Sequence, residues 1–179
     1  MDEDNGLVIQ ARSDKAAFVQ LYRRHYDAIF RYCAHRLFDR AAAEDITSEV
    51  FLKMVENFNG FRGNDAQFRN WLYRIATNAV NNHFRRMNSH NSLLRAAREQ
   101  TNNQVTDCEE SPERLVLLRE AMLSLKPRYQ TIITLRFFEN LKLTEIAEVL
   151  GSSPGTVRSQ MARAFAKLRI RIASAQQEV

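Results

Sequence analysis

Apolar residues recur at three- and four-residue steps through most of this chain, and only 5 glycines and 3 prolines interrupt its 179 residues. That pattern favours long amphipathic helices over the short, turn-separated strands of a sheet protein. The expected fold class is all-α, with two small helical domains joined by a flexible linker and a helix-turn-helix in the C-terminal one. An apolar content of 45% is enough to bury a real core.

From Asp14 onward Phe18, Leu21, Tyr22, Ile29, Tyr32, Cys33 and Leu37 form one stripe, with Ser13 or Asp14 as the N-cap. A second helix is expected over 42–57, burying Ile46, Val50, Phe51, Met54, Val55 and Phe58. The stretch 59–65 holds Asn59, Gly60, Gly63 and Asn64, which favour turns and positive φ, so it reads as a loop. A third helix follows over 66–86, with Phe68, Leu72, Ile75, Ala79 and His83 on its inner side. From Met87 to Ser111 the helical period fades and Asn, Gln, Ser, Thr and acids accumulate, as in a solvated linker, with room for a short helix near 93–98. After Pro112, Leu115, Leu118, Met122 and Leu125 share a face; Pro127 breaks the pattern. A further helix takes Tyr129, Ile132, Ile133, Leu135 and Phe138 and ends near Asn140. The expected boundaries are 10–88, a linker over 89–111, and 112–175.

The formal charge of +5 attracts polyanions without selecting one. Its distribution says more. Between Phe61 and Arg98 the bases Arg62, Arg69, Arg74, Arg85, Arg86, Arg95 and Arg98 face a single acid, Asp65, whereas Asp107, Glu109, Glu110 and Glu113 make the next stretch acidic. Cys33 and Cys108 lie far apart without a metal-type spacing, and both read as reduced cytoplasmic thiols. The polar start, Met1 to Gly6, and the lack of any apolar run of about 18 residues argue against export and membrane insertion. His25, His35, His83 and His90 form no metalloprotease-type cluster, no nucleophile elbow or phosphate-cradling glycine loop occurs, and Cys33 has no nearby base. No catalytic activity, no metal and no cofactor are expected.

The most informative segment is Leu143-Thr144-Glu145-Ile146-Ala147-Glu148-Val149-Leu150-Gly151-Ser152-Ser153-Pro154-Gly155-Thr156-Val157-Arg158, which has the layout of a helix-turn-helix. Thr144 is placed to cap the first helix. Ile146 and Leu150 point inward, and Ala147 is small enough for a second helix to cross over it. Gly151 takes the left-handed conformation that ends a helix, and Ser153-Pro154 starts the next with a capping hydroxyl and a first-turn proline. That second helix buries Val157, Met161, either Phe165 or Ala164, and Leu168, leaving Thr156, Arg158, Ser159, Ala162 and Arg163 outward, where arginine can bond guanine in the major groove. A helical hairpin with solvated arginines is the bland alternative. By itself the motif does not separate a sigma factor from a repressor or a response regulator.

The first half separates them. Ala43-Glu44-Asp45-Ile46-Thr47-Ser48-Glu49-Val50-Phe51, then Phe61-Arg62-Gly63, then Phe68-Arg69-Asn70-Trp71-Leu72-Tyr73-Arg74-Ile75-Ala76-Thr77-Asn78 resembles regions two-one to two-four of extracytoplasmic-function (group 4) sigma factors of the sigma-70 superfamily. The spacing to Ser153–Ser159 is similar to that family too, so the resemblance covers about 10–86 and 112–172. It implies a non-enzymatic alternative sigma factor that binds core RNA polymerase through the β′ clamp helices and β flap, recognises −35 and −10 promoter elements and assists melting. It also implies an anti-sigma factor as partner. Core binding falls on Asp45, Ser48, Glu49, Leu52 and Lys53, although two acids at this spacing also occur on merely solvated faces. The −10 strand falls on Phe61, Arg62, Asn64, Trp71, Arg74, Asn78 and Arg85. Among these, Trp71 is also a natural core residue; Asn78 is the better base contact, because Leu72, Ile75 and Ala79 already supply the core face. The −35 element falls on Ser153, Thr156, Arg158, Ser159, Arg163 and Lys167. Gln160, where members often carry Arg or Lys, and the small Ala162 depart from the pattern, so promoter preference does not transfer. No segment resembles the additional domain of primary sigma factors.

Overall fold

A computed structural model describes residues 6–97 and 113–177, and among these residues it contains helices and turns but no strand. The elements are α1 (Leu7–Gln10), α2 (Lys15–Leu37), α3 (Arg40–Asn57), α4 (Asp65–Ala97), α5 (Glu113–Leu123), α6 (Pro127–Ile133), α7 (Leu143–Leu150) and α8 (Pro154–Gln177). A 3-10 turn, Phe58–Gly60, follows α3, and a π-helical stretch, Thr134–Phe138, continues α6.

The cap of α2 is Asp14, not Ser13: its carboxylate accepts from the Ala16 amide at 2.8 Å. The helix stops where Phe38 turns into the left-handed region at φ 53°, and Asp39 at once caps α3 through the Ala42 amide. This tight corner makes α2 and α3 neighbours, and α4 packs across both. Their core is Leu21, Ile29, Tyr32, Val50, Met54, Phe68 and Leu72, all buried. Val55, expected inside, is 51% exposed because it stands at the solvent edge of the stripe carried by Ile46, Val50 and Met54. The single turn α1 has no periodic signal to reveal it. It buries Leu7 and Val8, and the Val8 amide donates to Asp65 Oδ1 at 3.1 Å, so it braces the start of α4.

Neither Gly60 nor Gly63 adopts the positive φ expected of the loop. Gly63 is needed for space instead: a Cβ there would lie 2.8 Å from the Phe61 ring and 2.7 Å from Gln67 Oε1. Asn64 and Gln67 then form a reciprocal cap, side chain to amide in both directions. The helix that starts there runs past Arg86 to Ala97, well beyond the expected end, because no glycine or proline between Gly63 and Pro112 stops its propagation. Most of the expected linker, with Cys108, lies outside the described residues, and the side chains of His90 and Leu115 do too.

In the C-terminal half Ala121, Met122, Leu125, Ile133, Ala164 and Leu168 form a local core. Ala164, rather than Phe165, is the buried residue of α8; Phe165 is 40% exposed. Leu118 and Phe138 are also more exposed than expected, at 37% and 39%, and Leu150 is only half-buried. For Leu150 the reason is a second set of contacts. Ile132, Leu135, Leu141, Ile146, Ala147, Val149 and Val157 join the N-terminal core, so the face of α7 is split between two neighbours and Val149 takes the inner place. The linker's composition predicts halves with no fixed relation. Instead they share an apolar cluster.

Burial governs the titration of two groups in this core. It pushes the Cys33 thiol up to about 11, which leaves a protonated, unreactive sulfur. It also lowers His25, set against the Phe68 ring, to about 4; Arg24 and Arg69 lower it further, and Asp65 opposes them. The native state then holds His25 neutral while the unfolded chain protonates near 6.5. Stability is therefore full above about pH 6.5 and falls as pH drops toward 4, by up to about 3 kcal/mol at about 1.4 kcal/mol per tenfold change in proton affinity. Urea unfolding of wild type and His25→Gln between pH 7 and 4 should show that slope in wild type and a flatter one in the variant.

Candidate nucleic-acid interface

The C-terminal motif folds as a helix-turn-helix, with each turn residue in its mechanical role. Gly151 is left-handed at φ 58° and closes α7. Ser153 Oγ accepts from the Thr156 amide at 3.1 Å and shares a 2.9 Å bond with Thr156 Oγ1, which caps α8. Thr144 does not cap α7, since the helix begins one residue earlier, at Leu143. Glu145 Oε2 accepts from the Lys142 amide at 2.6 Å instead. Along α8, Val157 and Ala164 are buried, while Ser153, Thr156, Arg158, Ser159, Arg163 and Lys167 are exposed on the outer side with Ala162. Gln160 is half-buried and accepts from Arg128 Nε at 2.8 Å, so it ties α8 to α6 rather than facing outward.

In the N-terminal half the loop and α4 build a second surface. Phe68 is fully buried and touches the rings of Phe58, Phe61 and Trp71, with centroids 5.9, 5.4 and 5.5 Å away. Phe61 lies 5.0 Å from Trp71. Trp71 is thus half-buried, packed on one side and open on the other, which suits both readings of it. On the open side a recess of about 240 Å³ is lined by Lys53, Asn57, Trp71, Ile75 and Asn78. Trp71 and Asn78 are two turns apart on α4 and therefore share a face. Arg74 and Arg85 are exposed along the same helix, and Arg85 bonds Asn82. Arg62 folds back onto the carbonyls of Asn59 and Phe61, and Asn64 is committed to the cap of α4. Asn57 has no signal in the sequence beyond being the last residue of a helix; only the crossing of α3 over α4 brings it to the recess.

A third surface lies on α3. Asp45, Ser48 and Leu52 are exposed, and Glu49 is half-buried beside Lys53, with which it pairs at 2.5 Å. Leu52 is 59% exposed, and exposed Val55 extends the apolar strip. An apolar strip rimmed by charge is the composition of a protein-binding patch.

Comparison with known proteins decides what this set of surfaces belongs to. The model of Sigma-70 region 2 matches residues 21–90 and that of Sigma-70, region 4 matches residues 115–168. ECF RNA polymerase sigma factor SigW of Bacillus subtilis is 30% identical over 170 residues, covering 88% of this chain and 90% of its own. The chain belongs to the extracytoplasmic-function sigma factors. ECF RNA polymerase sigma factor BldN of Streptomyces coelicolor is 35% identical over 90% of this chain, which spans 63% of BldN. The fold is also that of CnrH in its complex with the cytosolic domain of CnrY, at a TM-score of 0.69, 24% identity and coverage of 94% and 96%. A similar likeness, at 0.67 and 17% identity over 87% and 96%, holds for RpoE of Bartonella quintana in complex with the anti-sigma factor NepR. The sigma factor thus directs promoter-specific transcription, with core RNA polymerase and promoter DNA as its partners. Sigma factors are non-enzymatic initiation factors. No helix among the described residues is long and apolar enough to cross a membrane.

Proposed function

We propose that the three surfaces divide the work of initiation, with 10–88 as the polymerase- and −10-binding domain, 89–111 as linker and 112–175 as the −35-binding domain. The recess between α3 and α4 is the observation that carries this reading. It combines an indole, two amides and an ammonium around a space of nucleobase size, which supports capture of an unstacked base, while Arg62, Arg74 and Arg85 hold the strand by its phosphates. Phe61 and Asn64 shape the loop beside it. Ser153, Thr156, Arg158, Ser159, Arg163 and Lys167 read or grip the −35 duplex, and Asp45, Ser48, Glu49, Leu52 and Lys53 meet the polymerase clamp. An anti-sigma factor is the proposed regulator, the cytoplasm is the proposed site of action, and the chain itself performs no catalysis.

Transcription in vitro with core polymerase and a random promoter library tests the whole reading; absence of promoter-selective transcripts would overturn it. Asn78→Ala should keep core binding but reduce open-complex formation, and unchanged permanganate reactivity would remove Asn78 from the recess's work. Arg158→Ala should cost about 1–3 kcal/mol on the preferred −35 element and flatten discrimination at one base pair. Lys167→Ala should weaken all sequences alike and lower the salt dependence by about one counterion. Holoenzyme titrations against single-base −35 variants at several salt concentrations check both. Equal, sequence-independent losses would mean that α8 senses only phosphate charge at these two positions.

A further inference from the structure

We infer that the cleft between α4 and the start of α6 is a binding site for a small polyphosphate ligand of the nucleoside triphosphate class. Its volume of about 760 Å³ lies within the roughly 300–1,000 Å³ usual for small-molecule sites. Three exposed cations stand on its walls, Arg85 from α4 and Lys126 and Arg128 from the start of α6, and no acid among the described residues lines it. The amides of α4 are turned to donate. Asn81 Oδ1 accepts from Arg36 Nη2 at 3.2 Å and Asn82 Oδ1 accepts from Arg85, which leaves the Nδ2 ends of both for an acceptor in the cleft.

Behind this wall a buried cation lacks a counter-charge. Arg36 is 1% exposed, and its guanidinium is held by neutral oxygens alone: Tyr32 Oη, Asn81 Oδ1 and Thr131 Oγ1. Its Nε has no partner, and no carboxylate among the described residues pairs with it. A guanidinium does not shed its charge by deprotonation, and a buried charge without an opposite one is costly. Asn81 and Thr131, which hold it, also line the cleft, so a polyanion bound there lies between the buried cation and the exposed ones. Guanidinium and ammonium groups are the usual partners of phosphate oxygens, and several around one space suit a chain of phosphates better than a single one. Another part of the lining is apolar: half-buried Phe84, with Val149 and Leu150. An aromatic ring beside aliphatic side chains suits a nucleobase, which stacks whatever its identity.

Calorimetric titration of the full-length chain with ATP, inorganic triphosphate and adenosine tests the site. ATP should bind, triphosphate should bind about tenfold more weakly because it lacks the stacked base, and adenosine should not bind measurably. Lys126 makes no side-chain cap contact with α6, so Lys126→Gln leaves the fold intact, which circular dichroism checks. It should weaken ATP binding about tenfold, the loss of one charge-assisted contact. Lys15→Gln, which removes an equal charge at the start of α2, should change it by less than about twofold, because exposed charges at a distance are screened. Phe84→Leu should weaken ATP and spare triphosphate. A fluorescein-labelled, random-sequence single-stranded oligonucleotide should lose no more affinity with Lys126→Gln than with Lys15→Gln. Absence of ATP binding overturns the site, as does ATP binding indifferent to Lys126→Gln. Equal affinity for ATP and triphosphate overturns the nucleoside class. An oligonucleotide loss as large as the ATP loss makes the cleft part of the DNA-binding surface and overturns the proposal too.

Discussion

Phe68→Ala is expected to lower the unfolding free energy by about 3–5 kcal/mol, the range for truncating a fully buried aromatic side chain. Phe68 is 0% exposed and is the ring on which His25, Phe58, Phe61 and Trp71 converge. The loss has two parts: transfer of the ring's apolar surface, and a cavity that the surrounding rings, held on separate elements, cannot collapse to fill. Urea unfolding at pH 7 measures the total. Because Phe61 and Trp71 lose their common support, tryptophan fluorescence should also become more accessible to quencher in the folded variant. A cost below about 1 kcal/mol, the level of a surface substitution, would contradict the hub role.

Asp45→Arg with Glu49→Arg is expected to weaken core-polymerase binding by about 100-fold or more while leaving the melting temperature within a few degrees of wild type. Charge pairs buried on binding lose about 2–5 kcal/mol when one partner is removed, and reversal adds repulsion, so two reversals exceed the roughly 2.7 kcal/mol that a hundredfold represents. Stability should barely respond, because Asp45 is exposed and the Glu49–Lys53 pair is a surface i,i+4 contact worth under about 1 kcal/mol. The measurement is competition with wild type for core enzyme. Undiminished binding would return these acids to the solvated face that their spacing alone suggests.

The turn of the helix-turn-helix is legible residue by residue because its signals are local. A left-handed glycine, a serine cap and a first-turn proline act within one turn of chain, and Gly151, Ser153 and Pro154 behave as their chemistry requires. The same locality makes α2, α3 and the start of α4 readable from spacing. Where an expected burial fails, a non-local neighbour decides. Val55 belongs to the expected stripe by spacing but lies outside the overlap of α2 and α4. Leu150 yields its inner place to Val149 because α7 faces the N-terminal half as well as its own bundle. The length of α4 departs from expectation for a different reason: the composition of 87–97 is weakly helical, but nothing in it stops a helix already under way.

By itself the sequence determined the helical class, the two halves, the helix-turn-helix motif and the segments resembling sigma regions. Each of these depends on periodicity, capping or composition, which a chain carries wherever it goes. Only the tertiary structure decided that Lys53 and Asn57 meet Trp71 and Asn78 at one recess, that Gln160 is turned to Arg128, and that Glu145 and Glu148 meet Arg69 and Asn70. Those meetings join residues far apart in the chain, and their geometry follows from how helices cross, which no local pattern encodes.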